Sequence, residues 1–470
     1  MTRVLLINPP SPERQGAPLL GQQYVAAALL ARGCEVRIID GAANCLDRDE
    51  DWLVAEALAF SPDLIGLGLT SRWVWHTYRF VEKLRGTSAI LVAGGVHATV
   101  CPAEALDHGF DIVLAGEAER SIVALIDCVE GQARLAEIPG ASFRDANDHI
   151  RHGPAAQPIV DLDLLAPPSS AQHLYNPGWY NRRGLEVVPG GIVASRGCPS
   201  RCIFCANHVT GRRFRHRSVA SVITEINYYH DRYGQCFFPF WDDAFTANLA
   251  WTHELCSAME RDIHFPLAWS AITRVNMVTP NLLAAMKRAG LVAVNFGVES
   301  GDDQILKAIK KGITTGQVVR AIEAAKELGL RTICNFMLGF PQETPAALER
   351  TLAFMKHIAP LVNSFSTLGV VVPYPGTALY AKYHRQYGFS RWWLREEYSR
   401  HTPPPPYNTE AYYQYYREDR TLDLDFFHYT EEVRGLIQAA LRFKADHNLK
   451  NMTRSSDPPA TTGVSQNIAQ

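Results

Sequence analysis

Cys198, Cys202 and Cys205 fall in the stretch SRGCPSRCIFCANH, spaced C-x3-C-x2-C on a loop directly after the apolar run GIVAS. Thiolates at such spacing hold zinc or an iron–sulfur cluster. A structural zinc site wants four protein ligands, often as two C-x2-C pairs far apart. No second pair occurs here, because Cys236, Cys256 and Cys334 stand singly; His208, three residues after Cys205, could serve as a fourth ligand. A cubane cluster usually takes four thiolates, so three would leave one iron open to a substrate or cofactor. Three unrelated buried cysteines are the remaining alternative, and a Gly-, Pro- and Arg-containing loop argues against it.

Further polar residues gather at the ends of other apolar runs. Asp242 and Asp243 close FFPFWDD, where carboxylates suit a bound ammonium or simply cap a turn. Arg274 follows LAWSAI, Glu299 and Ser300 close AVNFGVES, and Lys311 ends the helical stretch beyond. All these runs belong to one alternating series: GIVASRG, residues 237–243, 267–272, 293–300, 332–339 and 364–372 read as strands, with helices between them. The helix at 314–329 carries a capping box, Thr314 with Gln317, apolar residues at 318, 322, 325 and 328, and Gly329 as its stop. Thr344 caps the next helix, with Pro345 at its first position. Six strand–helix units predict an open or partial barrel, with its active site at the carboxyl ends of the strands.

An earlier series precedes it. Residues 4–8, 35–40, 64–69, 89–95 and 111–117 read as buried strands, and QQYVAAALLARG as a helix stopped by Gly33. Strand–helix alternation predicts a doubly wound parallel sheet that binds ligands at its strand ends. The expected α/β organisation is therefore a Rossmann-like domain over 1–140, a linker over 141–189, a partial (β/α)6 barrel over 190–380, a small mostly helical, aromatic-rich cap over 381–450, and a disordered Ser/Thr/Pro-rich tail over 451–470. The 470 residues carry a net charge of −2, with 47% hydrophobic and 20% charged residues, the balance of a soluble globular chain. Bulk charge offers nothing for nucleic acid or a membrane surface. The apolar run at the start is short and meets Pro9, and no run approaches a membrane span. A cytoplasmic protein is expected, in which clustered cysteines bind metal rather than pair as disulfides.

The cysteine loop resembles the cluster loop of the radical S-adenosylmethionine (SAM) superfamily. That resemblance implies a [4Fe–4S] cluster on Cys198, Cys202 and Cys205, whose open iron chelates the amino and carboxylate groups of SAM. It implies reductive cleavage of SAM to a 5′-deoxyadenosyl radical. Phe204 would lie beside the adenine. FWDDAFTAN would meet the SAM amino group through Asp242 and Asp243. In VNFGVESGDDQILKAIKKGIT, Glu299 and Ser300 would face SAM and Lys311 would pair with its carboxylate; Arg274 would line the site. MLGFPQET and VVPYPGTALY complete the series as turn landmarks, so the likeness spans about residues 191–380.

The first domain shows neither a G-x-G-x-x-G fingerprint nor a phosphate loop. GGVHATVCPAEAL and LAGEAER after its fourth and fifth strands resemble the cobalamin-binding domain that precedes the barrel in one branch of the superfamily. By that likeness Gly94, Gly95, His97, Ala98 and Thr99 would border the corrin or its nucleotide tail. Thr70 and Ser71 would meet the tail, and Gly116 and Glu117 would close the pocket. No D-x-H-x-x-G motif occurs, so the cobalt-ligating histidine of the mutases is not expected.

The implied function is a cobalamin-dependent radical SAM methyltransferase acting on an unactivated carbon of a small molecule, with a reducing partner such as flavodoxin or ferredoxin. Cyclisation, ring contraction or rearrangement is the alternative within the branch. A non-catalytic corrinoid or metal sensor is the alternative of another class.

Overall fold

The computed structural model describes residues 1–11, 17–44, 50–176, 190–366, 369–399, 405, 409–417 and 424–452. Five parallel strands, β1 (Arg3–Asn8), β2 (Glu35–Asp40), β3 (Leu64–Gly68), β4 (Ile90–Gly94) and β5 (Ile112–Leu114), stand in the order β2-β1-β3-β4-β5. Strand order reverses at β1, the place where such sheets open a crevice for ligands. Alternate residues serve opposite faces. Val4, Leu6, Leu64 and Val92 pack in one apolar cluster, and Leu5, Ile7, Ile65 and Leu91 in another. With both faces covered, these strands read as unbroken apolar runs. The helix Leu20–Arg32 ends at Gly33, whose φ of +90° turns its N–H to Leu30 O at 3.0 Å and lets Cys34 N–H reach Leu29 O at 3.1 Å.

The stretch expected as a linker opens differently. Two short antiparallel strands, β6 (Ala141–Arg144) and β7 (Ile150–His152), add to β5 and extend the sheet to seven strands. The 3-10 turn Pro168–Leu174 then returns to the first helix, where Gln23 Nε2 donates to Gln172 Oε1 at 2.6 Å. Residues 177–189, which hold most of YNPGWYNRRG, lie outside the described residues.

Two short strands, β8 (Ser195–Arg196) and β9 (Arg215–His216), pair antiparallel before the second sheet. That sheet runs parallel in sequence order through β10 (Phe237–Phe240), β11 (Ala268–Thr273), β12 (Leu291–Glu299), β13 (Arg331–Phe336) and β14 (Ser364–Ser366). GIVAS contributes a single parallel bridge, Ile192 to Phe240, in place of a full first strand. Leu338 and Val370 extend β13 and β14 by a further bridge. The capping box at Thr314 and Gln317 is present, as are the Thr344 cap and Pro345.

The C-terminal region ties both domains together. Helix Glu431–Met452 packs beside β14, and Asn448 exchanges both its amide groups with the backbone of Phe365 at 2.8 and 2.7 Å. Tyr429 OH donates to Gly339 O of the barrel at 2.8 Å, and Trp393 Nε1 donates to Glu104 Oε1 of the first domain at 2.8 Å. One apolar cluster accordingly runs from Ile65 and Ala93 through Trp392 and Trp393 to Phe296 and Phe336. Asn451 and Met452, the first two residues of the tail expected over 451–470, are the last residues of the helix Glu431–Met452, and the remainder lies outside the described residues.

Candidate functional site

The three cysteines lie on a loop thrown off a two-residue stem. Ser195 pairs with His216 and Arg196 with Arg215, so residues 197–214 form the loop between β8 and β9. Gly197, at φ +88°, opens it; a Cβ there would strike the Arg213 carbonyl. Backbone bonds knit the rest: Cys198 N–H to Gly211 O at 3.1 Å, Ile203 N–H to Ile309 O at 3.0 Å, and Leu379 N–H to Ile203 O at 2.9 Å. All three thiols are free, with Cys198 and Cys202 half-buried and Cys205 at the surface of the loop. Although Cys205 as a whole is exposed, removal of its sulfur from water, then the charges of the neighbouring Cys202, Asp243 and Cys198, push its thiol up to about 12. Thiols that repel one another's charge are relieved by a cationic metal core, so this loop fits a cluster. Among the described residues no three His, Cys, Asp or Glu side chains converge on a single ion. An iron–sulfur cluster binds each thiolate at a different iron and does not need that convergence. His208, the candidate fourth ligand for zinc, points its buried and unpartnered Nε2 toward the turn at Gly376.

Arg274 joins this loop to the barrel. Its Nη1 donates to Cys202 Sγ at 3.5 Å and its Nη2 to the carbonyl of Lys311. Lys311 Nζ in turn donates to Glu299 Oε1 at 2.7 Å and lies 5.9 Å from the centre of the Phe204 ring. Glu299 holds φ +76°, uncommon for a residue with a side chain, at a register shift between β12 and β13. A Cβ on Gly297 would come within 2.7 Å of both Glu299 Oε1 and Lys311 Nζ. Cys202, Phe204, Arg274, Glu299 and Lys311 thus meet at the carboxyl end of the barrel. Ser300 does not join them. It is fully buried and bonds Thr351 Oγ1 at 3.1 Å and the Asp302 N–H at 3.2 Å.

The two adjacent acids separate. Asp242 is buried against the stem, where Ser195 Oγ and the Ala194 N–H donate to it, and burial raises its carboxyl to about 7. That carboxyl is a fastener of the stem and not an open group. Asp243 faces the other way and accepts from Gly197 N–H at 3.0 Å and Thr210 Oγ1 at 2.7 Å.

A cavity of about 430 Å³ lies over the ends of the first domain's strands. Gly66, Gly68, Gly94, Gly95 and Gly116 line it, with Thr70, Trp73 and Glu117. At Gly68 a Cβ would project into open space, and at Gly94 it would meet only Leu114 O at 3.9 Å. A glycine wall of this kind lets a broad flat ligand lie against backbone, which fits a corrin. The opposite wall belongs to the barrel: Val193, Ser195, Arg196, Val209, Thr210, Trp241 and Asp243.

The remaining expected cobalamin contacts are placed less directly. His97 is fully buried, with Nδ1 at 2.9 Å from Ser71 Oγ and Nε2 at 3.0 Å from Glu104 Oε1, and it does not line the cavity. Both ring nitrogens are engaged, so His97 and Ser71 support the loops behind the wall. Ala98 is buried beside them. Thr99 Oγ1 accepts from the Gly116 N–H at 3.0 Å and so joins the loops after β4 and β5.

Glu117 lines the cavity, but its carboxylate is taken. Arg215 binds it in bidentate fashion at 2.7 and 2.8 Å, and the Ile159 N–H adds a third bond at 2.6 Å. Beside it Glu119 Oε1 accepts from Arg196 Nη2 at 2.6 Å, and the Arg196 guanidinium lies 4.5 Å over the Tyr24 ring. Sequence reasoning missed Glu119, Arg196 and Arg215. They belong to no spaced motif, and the only available signal was an arginine flanking each end of the cysteine loop.

Comparison with known proteins gives the following. Residues 192–355 match the Radical SAM superfamily, and residues 16–126 match the B12 binding domain. The chain is 31% identical over 390 residues to the uncharacterized methyltransferase PH0819 of Pyrococcus horikoshii, covering 80% of this chain and 82% of that protein. It is 26% identical over 399 residues to the anaerobic magnesium-protoporphyrin IX monomethyl ester cyclase of Rubrivivax gelatinosus, covering 80% and 69%. In fold it resembles the radical SAM methyltransferase TsrM of Kitasatospora setae, solved with cobalamin and a [4Fe–4S] cluster, with a TM-score of 0.64 and 21% identity over 78% of this chain and 72% of that one.

Proposed function

Because this chain belongs to the radical SAM superfamily and carries a B12-binding domain, it is an enzyme that uses a [4Fe–4S] cluster, SAM and cobalamin, and we propose that it transfers a methyl group to an unactivated carbon of a small molecule. One observation carries the methylation reading beyond the family. The cavity over the first domain shares its far wall with the loop that bears the cysteines. A carrier bound there lies next to the centre that activates the substrate.

When bound, the cluster supplies the electron that cleaves SAM, and the corrin cobalt carries the methyl group. The protein's own residues do the positioning. Cys198, Cys202 and Cys205 are the residues that would hold the cluster. Arg274 places positive charge at the Cys202 sulfur and ties it to the Lys311 backbone. Lys311 and Glu299 present one charge of each sign to a zwitterionic amino acid group, and the Phe204 ring offers a face for a planar base. Asp243 holds the first turn of the cluster loop, and the walls of the cavity are mostly apolar.

The region 381–450 serves in this reading as the substrate cover, anchored by Trp393 on one domain and Tyr429 on the other. A small acidic electron carrier of the flavodoxin or ferredoxin type is the proposed reductant. Ring closure is the second reading, supported by the likeness to the cyclase of R. gelatinosus.

The test is anaerobic. Reconstituted protein is given hydroxocobalamin, reductant and SAM, and 5′-deoxyadenosine, S-adenosylhomocysteine and bound cobalamin are quantified together. Methyl transfer predicts both nucleosides with cobalamin bound. Deoxyadenosine without S-adenosylhomocysteine, once the substrate is supplied, replaces methylation with cyclisation or rearrangement.

A further inference from the structure

Four charged side chains, two from each domain, meet beneath the cysteine loop. Glu117 and Glu119 follow β5 of the first domain. Arg196 and Arg215 are the cross-strand pair at the stem of the loop. Arg215 binds Glu117 at 2.7 Å, Arg196 binds Glu119 at 2.6 Å, and Arg196 also reaches Glu117 at 3.5 Å. None of the four side chains is more than 8% exposed. Charges taken out of water this far hold one geometry tightly, since a lost partner leaves its mate uncompensated.

The same residues are walls. Glu117, Glu119 and Arg196 line the cavity, as do Val209 and Thr210 of the loop itself. Arg215 Nη2 donates to Thr210 O at 2.7 Å, and Thr210 Oγ1 to Asp243, which also holds Gly197 one residue before Cys198. The cavity wall therefore lies only a bond or two from the first cysteine.

We infer that Glu119 and Arg196 are positioning residues that register the cluster loop against the cavity, so that a corrinoid in the cavity and SAM at the loop each raise the other's affinity. This rests on the cofactor assignment above. A ligand that orders the shared wall leaves less ordering for the second, and the coupling is reciprocal by linkage.

The experiment uses full-length protein with reconstituted cluster. Hydroxocobalamin binding is followed by absorbance with and without SAM. SAM binding is followed by equilibrium dialysis with and without hydroxocobalamin. The two ratios of affinities give one coupling factor, expected at about fivefold or more in the unaltered protein. In Glu119→Gln the factor falls to near one, and the corrinoid affinity measured alone falls as well, because Glu119 lines the cavity. The double variant E119Q/R196Q removes both charges together and leaves no lone buried charge. It gives the same loss and stands in if the single variant misfolds. A merely structural role would lower both separate affinities and leave their ratio unchanged, and that result overturns the inference. A factor of one in the unaltered protein overturns it too. Failure of the unaltered protein to bind hydroxocobalamin at all overturns the cofactor assignment along with it, which separates the two failures.

Discussion

Lys311 Nζ lies 2.7 Å from Glu299 Oε1 directly over Gly297, the one residue of β12 without a side chain. The pair is buried, and the backbone of Glu299 is held at φ +76° to make it. A lysine and a glutamate locked this way expose little to solvent and hold one geometry relative to each other.

Gly297→Ala is therefore expected to push the pair apart. Its Cβ would sit 2.7 Å from each charged atom, and overpacking of this kind costs about 1–3 kcal/mol. Affinity for SAM should fall about tenfold, with the iron content unchanged. Anaerobic calorimetric titration with SAM checks this; unaltered affinity would show that the pair does not meet the ligand.

Substitution of Cys198, Cys202 or Cys205 by alanine, one at a time, is expected to remove the cluster and abolish deoxyadenosine formation. Iron and sulfide analysis after reconstitution is the readout. His208→Ala is expected to leave iron content intact, whereas a zinc site of three cysteines and His208 would lose its metal in that variant.

Arg274→Gln takes a positive charge away from the Cys202 sulfur, 3.5 Å distant. Loss of that charge disfavours the reduced, more negative cluster, so the reduction potential moves to more negative values. A potentiometric titration followed by electron paramagnetic resonance measures the shift.

Asp242 makes the stability of the protein pH-dependent. Burial raises its carboxyl from 3.8 to about 7. A raised acid contributes stability while protonated in the folded state, fully below its unfolded value, and loses it as pH rises through about 7. Asp242→Asn has no such loss. Relative to Asp242→Asn, the unaltered protein should fall in stability by up to about 4 kcal/mol between pH 4 and pH 8. Thermal unfolding of both proteins across that range provides the comparison; parallel curves would mean that Asp242 is ionised throughout.

Much of this was legible from residue order. Apolar runs buried on both faces marked β1–β5 and the second sheet, and Thr314 with Gln317 marked a helix start that the backbone realises. The spacing of Cys198, Cys202 and Cys205 marked the loop. What stayed hidden has physical reasons. ASFR and IRH are too short and too polar to read as strands: β7 is the sheet edge and buries no residue, and β6 beside it buries only Ala141 and Ser142. Asp242 and Asp243 lie in the turn beyond the end of β10, where no strand alternation tells which acid turns into the stem. Ser300 follows a residue with positive φ, which breaks the alternation and sends its hydroxyl to Thr351. Arg196 and Arg215 lie 19 positions apart, and only their pairing across β8 and β9 brings them to Glu117 and Glu119.

Asn448 pairs with the backbone of Phe365 as a further strand would. A growing chain that has emerged only through β14 therefore shows the solvent an open strand edge, the kind that recruits other chains. The helix that closes it is made 65 residues or more after that edge, since β14 ends at Ser366 and the helix begins at Glu431. During synthesis the barrel thus waits, with its edge unsealed, while the cysteine loop is already complete.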